Sequence, residues 1–413
     1  MRTRARDSTA LAAGSAVSGL LAYAFFALVT RGLGAEAAAP VSVLWTYWSF
    51  AAAALTFPVQ HWIVRSVTAS GGEGAVRMVI VRVSGVVVVA AVGVAALGWL
   101  MRDRLFHRDD AWFPLLLAVV TLGCAFSGVV RGTLSARHRY FSVAWALVGE
   151  NLVRFGAALV LVAFTVKASA AYGLSLAAGQ LVGFAWPSAV RFGRGGDVSS
   201  SGSWATFVGT AAGGQVIGQT VLTGGPIVLA LTGGTPAQVT ALFAGLALFR
   251  APYTFSLGVV AQVMGKLTSL VVNRQFAAIR KVRAGIVVLT AAGVVTSAFV
   301  GYLAGPWLVR AIFGSGVELS ATVSLLTAIG SAVALGNLAL TIMVMAQDRP
   351  SAVVRSWLFA ALAGGLVLLL VTASPIEATC LAFVVAELSA FTALLVEEIR
   401  GARSLAVAET MAS

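Results

Sequence analysis

The stretch Val86-Val-Val-Val-Ala-Ala-Val-Gly-Val94 decides the fold. In water such a run would suit a buried strand as well as a helix. It lies, however, inside a longer apolar segment that continues from 78 to 101, long enough to cross a bilayer, which needs about 20 residues. Within lipid every backbone N–H and C=O must find its partner inside the protein, so only helices and closed barrels can span. Barrel strands alternate polar and apolar residues with period two over about ten residues. The 86–94 stretch does not alternate. It reads as a transmembrane helix.

Comparable segments recur along the chain, near 9–30, 38–64, 111–130, 140–166 and 170–190, and then near 204–231, 237–270, 284–306, 318–346, 352–373 and 376–396. With 78–101 they make about twelve spans. Composition agrees: 59% of residues are hydrophobic, 10% are charged and the mean hydropathy is +0.94. A soluble domain carries about 25% charged residues. The first segment follows Met1-Arg-Thr-Arg-Ala-Arg6 and could be a secretory signal. Its length and the spans that follow favour an uncleaved first helix.

The formal charge of +13 does not point to nucleic acid once the basic residues are placed. With the amino end inside, 20 of the 28 fall in cytoplasmic segments, Arg131, Arg137 and Arg139 among them, and 6 in external loops. Arg154 and Arg250 fall within spans. That asymmetry sets orientation by the positive-inside rule. A multi-pass plasma-membrane protein with both ends in the cytoplasm is expected, its basic surface facing anionic membrane lipids. Cys124 and Cys380 are isolated, and His61, His107 and His138 are scattered one per segment. No disulfide framework or metal site is expected. There is no phosphate-binding glycine loop of the ATPase kind and no nucleophile elbow, so neither a cofactor nor an enzymatic reaction is anticipated.

The two halves resemble each other. Gly173–Phe184 lies over Cys380–Phe391, pairing Gln180 with Glu387. Ala136-Arg-His-Arg139 lies over Ala346-Gln-Asp-Arg349, and Gly34, Gly85 and Gly93 match Gly234, Gly285 and Gly293. The expectation is an all-α polytopic protein of two six-helix bundles, 1–198 and 199–413, related by a pseudo-two-fold along the membrane normal. Transporters with such repeats commonly place substrate at the repeat interface.

Ionisable groups inside spans are costly and default to functional candidates. Arg250 lies about 20 Å into the eighth span at 1.5 Å per residue. Its guanidinium could fork onto phosphate oxygens, or cap carbonyls freed by Pro252. Glu150 and Arg154 stand at i and i+4 and can pair. They could hold the fifth span to a neighbour, or Arg154 could face a cavity while Glu150 tunes it or carries a proton. Glu387 has no partner within its own helix and is either an ion-coupling acid or a hydrogen-bonded structural one. Gly213-Gly-Gln215-Val-Ile-Gly218-Gln219 and Gly224-Gly-Pro226 mark a seventh span that should kink or break, with Gln215 and Gln219 as substrate contacts or the glycines as close-packing residues. Pro58 and Pro252 lie in corresponding spans, which predicts paired kinks.

Several short motifs resemble the polysaccharide and lipid-linked oligosaccharide flippases of the multidrug/oligosaccharidyl-lipid/polysaccharide exporter superfamily. They are Leu28-Val-Thr-Arg31-Gly-Leu-Gly34-Ala-Glu36 after the first span, Leu248-Phe-Arg250-Ala-Pro252 in the eighth, Ala311-Ile-Phe-Gly314 before the tenth and Ala346-Gln-Asp-Arg349 after it. The resemblance implies two bundles forming a V around a cavity that opens alternately to each side. It also implies a polyprenyl-diphosphate-linked glycan as substrate, with Arg250, Arg154 and Arg31 on the diphosphate. Glycan-assembly proteins are the implied partners. One departure is that many relatives carry an acid in the middle of the seventh span, where this chain has Thr220-Val-Leu-Thr-Gly-Gly-Pro226. The alternatives are a cation-coupled multidrug antiporter of the same superfamily, a membrane-embedded polymerase or ligase, and a non-transporting scaffold. The longest external loop, Arg102–Asp110, is short for a polymerase.

Overall fold

The structure is a computed structural model describing residues 2–195, 213, 216–257 and 260–412, with side chains described outside 2–12, 257, 260–262, 265–266 and 405–412. Every described element is helical. We label them α1 (Arg2–Leu33), α2 (Ala35–Ser70), α3 (Gly74–Leu100), α4 (Trp112–Ala136), α5 (Tyr140–Ala163), α6 (Ser169–Ala178), α7 (Gly225–Leu231) and α8 (Pro236–Phe249). They continue with α9 (Ala251–Leu257), α10 (Val260–Val272), α11 (Phe276–Leu303), α12 (Gly305–Phe313), α13 (Ala321–Ala346), α14 (Pro350–Leu370) and α15 (Pro375–Ala412).

Nine of the described helices are long and apolar enough to cross a membrane: α1 to α5, α11, and α13 to α15. The other three expected spans are interrupted or lie partly outside the described residues. At 170–190, α6 gives way to 3-10 turns over Gly179–Ala185 and Pro187–Val190. Of 204–231, only residue 213 and those from 216 onward are described, with helix over 216–223 and again in α7. At 237–270 the chain runs as α8, α9 and α10.

Burial divides the spans into two kinds. In α3 only 17% of the most apolar window is buried, although its mean hydropathy there is 2.4. Its valines are poor helix formers in water, but in lipid the helix satisfies every backbone group within the segment itself. In α4, by contrast, 61% of the window is buried. This helix runs through the middle of its unit, packed on α2, α3 and α6. Glycines set how closely it approaches α2. A Cβ at Gly128 would come 2.8 Å from Thr56 O, and one at Gly132 would come 3.0 Å from Gln60 Cα. Helix α2 carries a π turn over Ala52–Thr56 directly before Pro58, which cannot donate to the ladder. The Thr56 hydroxyl then crosses to Cys124 O at 2.8 Å.

The chain forms two compact units, Met1–Gln219 with Thr235–Thr240, and Thr220–Gly234 with Ala241–Ser413. The first holds α1 packed lengthwise on α5 and α3 on α4. The second holds α11 on α13, α13 on α15, and α14 on α15. An internal correspondence between them is visible in the backbone. After α4, Arg137, His138 and Arg139 donate to Thr133, Ser135 and Leu134 carbonyls. After α13, Gln347, Asp348 and Arg349 donate to Met343, Met345 and Val344 in the same pattern. His138 and Asp348 take left-handed φ values of 56° and 58°. Positive φ falls at Gly34 and at Gly233, beside the Gly234 that matches Gly34 in sequence.

An ion pair ties down the end of the first unit's sixth span. Arg137 grips both oxygens of Glu73, at 2.7 and 2.9 Å, and donates to Ser188 O and Arg191 O. Gly193 N adds a bond to Glu73 at 2.8 Å. Hydrogen bonding from the Arg137 guanidinium holds the Glu73 carboxyl below the usual carboxylate range.

Candidate functional site

In the first unit, Glu150 and Arg154 share one face of α5 and pair, as their spacing predicts. The structure adds a second arginine. Arg131 on α4 reaches the other carboxylate oxygen of Glu150, so each oxygen is engaged by a guanidinium. Arg131 is thus not a loop residue. Helix α4 continues through it to Ala136, and Arg131 is buried. Its charge is met by Glu150 rather than by water, which is why the helix can run past it.

Arg154 is fully buried, and its nitrogens are spread over several acceptors. Nε donates to Leu176 O at 2.9 Å, Nη1 to Asn151 Oδ1 at 3.2 Å, and Nη2 to Glu150. The guanidinium carbon lies 4.5 Å from the centroid of the Trp48 ring on α2, within cation–π range. Asn151 passes the network to α1 through Ser18 Oγ at 2.7 Å. Gly179 at the end of α6 makes room, since a Cβ there would come 2.5 Å from Arg154 Nε and 2.7 Å from Glu150 O. Through these contacts Arg154 holds α5 to its neighbours, the first of the two roles open to the pair. It is a buried tie joining α1, α2, α5 and α6.

Arg131, Ser127, Glu150 and Gln180 line a narrow cleft, with room for little more than a water molecule, between α4, α5 and the 3-10 segment after α6. Turning the Gln180 amide over satisfies both of its ends, its nitrogen then donating to Ala177 O at 2.7 Å and its oxygen accepting from Trp48 Nε1 at 3.1 Å. Two guanidiniums and one carboxylate leave this cluster with a surplus of one positive charge.

The second unit carries a different arrangement. Arg250 stands between α8 and α9 with 9% of its surface exposed, its guanidinium carbon 5.0 Å from the centroid of the Phe383 ring on α15. The ladder persists across it, with Arg250 N on Leu246 O and Thr254 N on Arg250 O. One turn beyond Phe383, Glu387 is fully buried. Asn337 on α13 donates to both its backbone oxygen, at 2.9 Å, and its Oε2, at 2.7 Å. Glu387 Oε1 and Asn337 Oδ1 are buried with no hydrogen-bond partner among the described residues. Arg250 and Tyr253 both lie within electrostatic reach of Glu387. The residue paired with Gln180 by sequence is therefore an acid in a buried, partly unsatisfied pocket.

The remaining candidates are on other segments of the chain. Arg31 is exposed in the last turn of α1, and Gln219 is half-buried in the helix over 216–223. Gln215 lies outside the described residues. The seventh span breaks at Gly224, with Pro226 in the first turn of α7. Among the described residues no group of three or more metal-ligating side chains converges. Arg131 and Asn337 are the participants that sequence reading missed. Arg131 could have been found by asking which cation the lone Glu150 could reach from a neighbouring helix.

No protein-family model and no curated protein matches the chain. Solved structures do. An inward-facing multidrug resistance transporter of the MATE family in the MOP superfamily is similar over 96% of each chain, with a TM-score of 0.67 and 13% identity. A MOP-superfamily transporter from Pyrococcus furiosus, whose reversed binding-pocket polarity suggests a different function, is similar over 97% of this chain and 95% of its own, at TM-score 0.61 and 14% identity. The lipid II flippase MurJ, in an inward closed conformation, is similar over 95% and 91%, at TM-score 0.55 and 12% identity. The chain has the fold of MOP-superfamily transporters, all-helical and polytopic.

Proposed function

We propose that this chain, carrying a fold used by both multidrug transporters and a lipid flippase, is a membrane transporter of that superfamily. Its cargo on this reading is a lipid-linked glycan, most simply a polyprenyl diphosphate bearing a sugar chain, moved across the plasma membrane by alternating access. The two compact units correspond to the two six-helix halves of an ancient duplication. Both chain ends lie in the cytoplasm. With Arg131 removed from the loop inventory, nineteen basic residues still fall on that side against six outside.

The observation that carries the proposal is Arg250, held buried at the α8–α9 junction of the second unit with its guanidinium carbon 5.0 Å from the Phe383 ring centroid. A guanidinium stays charged when desolvated and fits phosphate oxygens two at a time. Arg131, in a cluster with surplus positive charge, offers the first unit's own attraction for an anion. Arg154 contributes by holding that cluster rigid. In cells that depend on this chain for glycan export, Arg250→Ala should abolish complementation while the protein still reaches the membrane. Normal export from that variant would remove Arg250 from the cargo site.

A second reading has its own support. Glu387, with one oxygen unengaged beside Asn337 Oδ1, suits a proton or small cation. It could couple flipping to an ion gradient, or it could serve a cation-coupled drug antiporter. Glu387→Gln separates the two. A coupled flippase loses gradient-driven accumulation but keeps downhill exchange of lipid-linked glycan, whereas an antiporter loses drug resistance and never moves glycan.

A further inference from the structure

The first turns of α14 and the 397–400 stretch of α15 hold a cluster that the transport reading does not use. Glu397 on α15 accepts from Arg349 through Nη2 at 2.7 Å, and Arg349 Nη1 also donates to the Glu397 backbone oxygen. Two more guanidiniums converge on the other carboxylate oxygen, Arg355 Nη2 at 3.6 Å and Arg400 Nη1 at 3.4 Å. One carboxylate thus faces three arginines. Other ion pairs of the chain are balanced by comparison. Arg137 is matched by Glu73, and Arg283 by the fully buried Glu398.

The surplus lies at the surface. Glu397 is largely covered, but the side chains of Arg355 and Arg400 are 59% and 67% exposed. Their nitrogens contact the same oxygen, so they lie within about 7 Å of each other. A phosphate can accept from two donors roughly 8 Å apart through two of its own oxygens, at about 2.9 Å per bond. Both arginines can therefore serve one phosphate without leaving Glu397.

Arg355 also stands at the head of an apolar stripe. At helical spacing on the same face of α14 follow Leu358, Phe359, Leu362, Leu366 and Leu369, all exposed large hydrophobic residues. From Leu358 to Leu366 the stripe covers about 12 Å at 1.5 Å per residue, close to the roughly 15 Å of one leaflet's hydrocarbon. A soluble anion would use the arginines alone. A phospholipid would use arginines and stripe together, and that continuity selects it.

We propose that Arg355 and Arg400, gathered by Glu397, form a headgroup site for an anionic phospholipid whose acyl chains lie along the Leu358–Leu369 face of α14. Glu397 keeps the two guanidiniums close against their mutual repulsion, and Arg349 anchors Glu397 in turn. The site belongs to the second unit alone and does not depend on the identity of the transported cargo.

The test uses the full-length chain purified in detergent, stripped of lipid and titrated with phosphatidylglycerol, phosphatidylcholine or inorganic phosphate, with bound lipid read by native mass spectrometry. Wild type should retain phosphatidylglycerol in preference to phosphatidylcholine, and millimolar phosphate should not displace it. The R355Q/R400Q variant should bind phosphatidylglycerol about 25-fold more weakly, about fivefold per guanidinium, while R102Q remains unchanged. R400Q alone, with its exposed side chain, should show the fivefold step even if the double variant folds poorly. Equal retention by wild type and R400Q, equal binding of phosphatidylcholine, or displacement by phosphate would each overturn the proposal.

Discussion

Replacing Glu150 with Gln should unfold the first unit more readily than any single change on its lipid-facing surface. The substitution keeps the shape and removes the one negative charge between Arg131 and Arg154. Two buried guanidiniums would then face each other across an uncharged amide. At a separation on the order of 6 Å and an effective dielectric of about 20, their repulsion is about 3 kcal/mol. Removing one member of a buried ion pair typically costs about 3–5 kcal/mol, a figure that includes the same repulsion, so the two are not added. For a unit of this size each kcal/mol shifts the midpoint by roughly 2–4 °C, so Glu150→Gln should lower it by roughly 10 °C. Thermal unfolding of the detergent-purified protein provides the assay. Adding Arg131→Met to Glu150→Gln should recover part of the loss, because Arg154 keeps Leu176 O, Asn151 and the Trp48 ring. A midpoint for Glu150→Gln within about 2 °C of wild type, less than a single kcal/mol would produce, would refute this reading of the cluster. So would a double variant less stable than the single.

Gly179→Ala should cost about 1–3 kcal/mol, because the new methyl would press on Arg154 Nε and Glu150 O; the unfolding midpoint reports it, and Gly156→Ala, with open space around it, serves as control. Arg154→Lys should also destabilise, since one ammonium cannot reach the spread of acceptors that the guanidinium nitrogens serve. The Glu73–Arg137 clasp should be pH-dependent. The folded-state pKa of Glu73 is depressed, so its stabilisation is fully present above the unfolded value of about 4.3 and is lost as pH falls through the lower folded value. Glu73→Gln should therefore differ from wild type by about 1 kcal/mol or less at pH 7, and the two should converge in the acid range below about pH 4. A gap that widens on acidification would contradict that sign.

Much of this is legible in the sequence, and the part that is not has a physical cause. Apolar length locates the nine full spans among the described residues, because in lipid hydrophobicity and helicity are the same requirement. The Glu150–Arg154 pair is legible because i,i+4 spacing is a property of one helix. Arg131 reads as a loop residue because a charge normally ends a span, and the carboxylate that neutralises it sits nineteen residues away on another helix. The arrangement around Glu387 is hidden for the same reason, since Asn337 is fifty residues distant. The 3-10 turns after Gly179 leave no periodic signature, and follow from packing against Arg154 and Phe126.

Whether the buried Arg250 serves an anionic, lipid-linked cargo can be measured by reconstituting the purified chain into liposomes that carry a polyprenyl-diphosphate oligosaccharide. Movement between leaflets is scored by accessibility to a soluble glycan-cleaving enzyme. Wild type should move the glycan lipid, and Arg250→Ala of equal thermal stability should not. Wild-type liposomes that exchange organic cations but leave the glycan lipid in place, or an Arg250→Ala variant that moves it at the wild-type rate, would contradict the assignment.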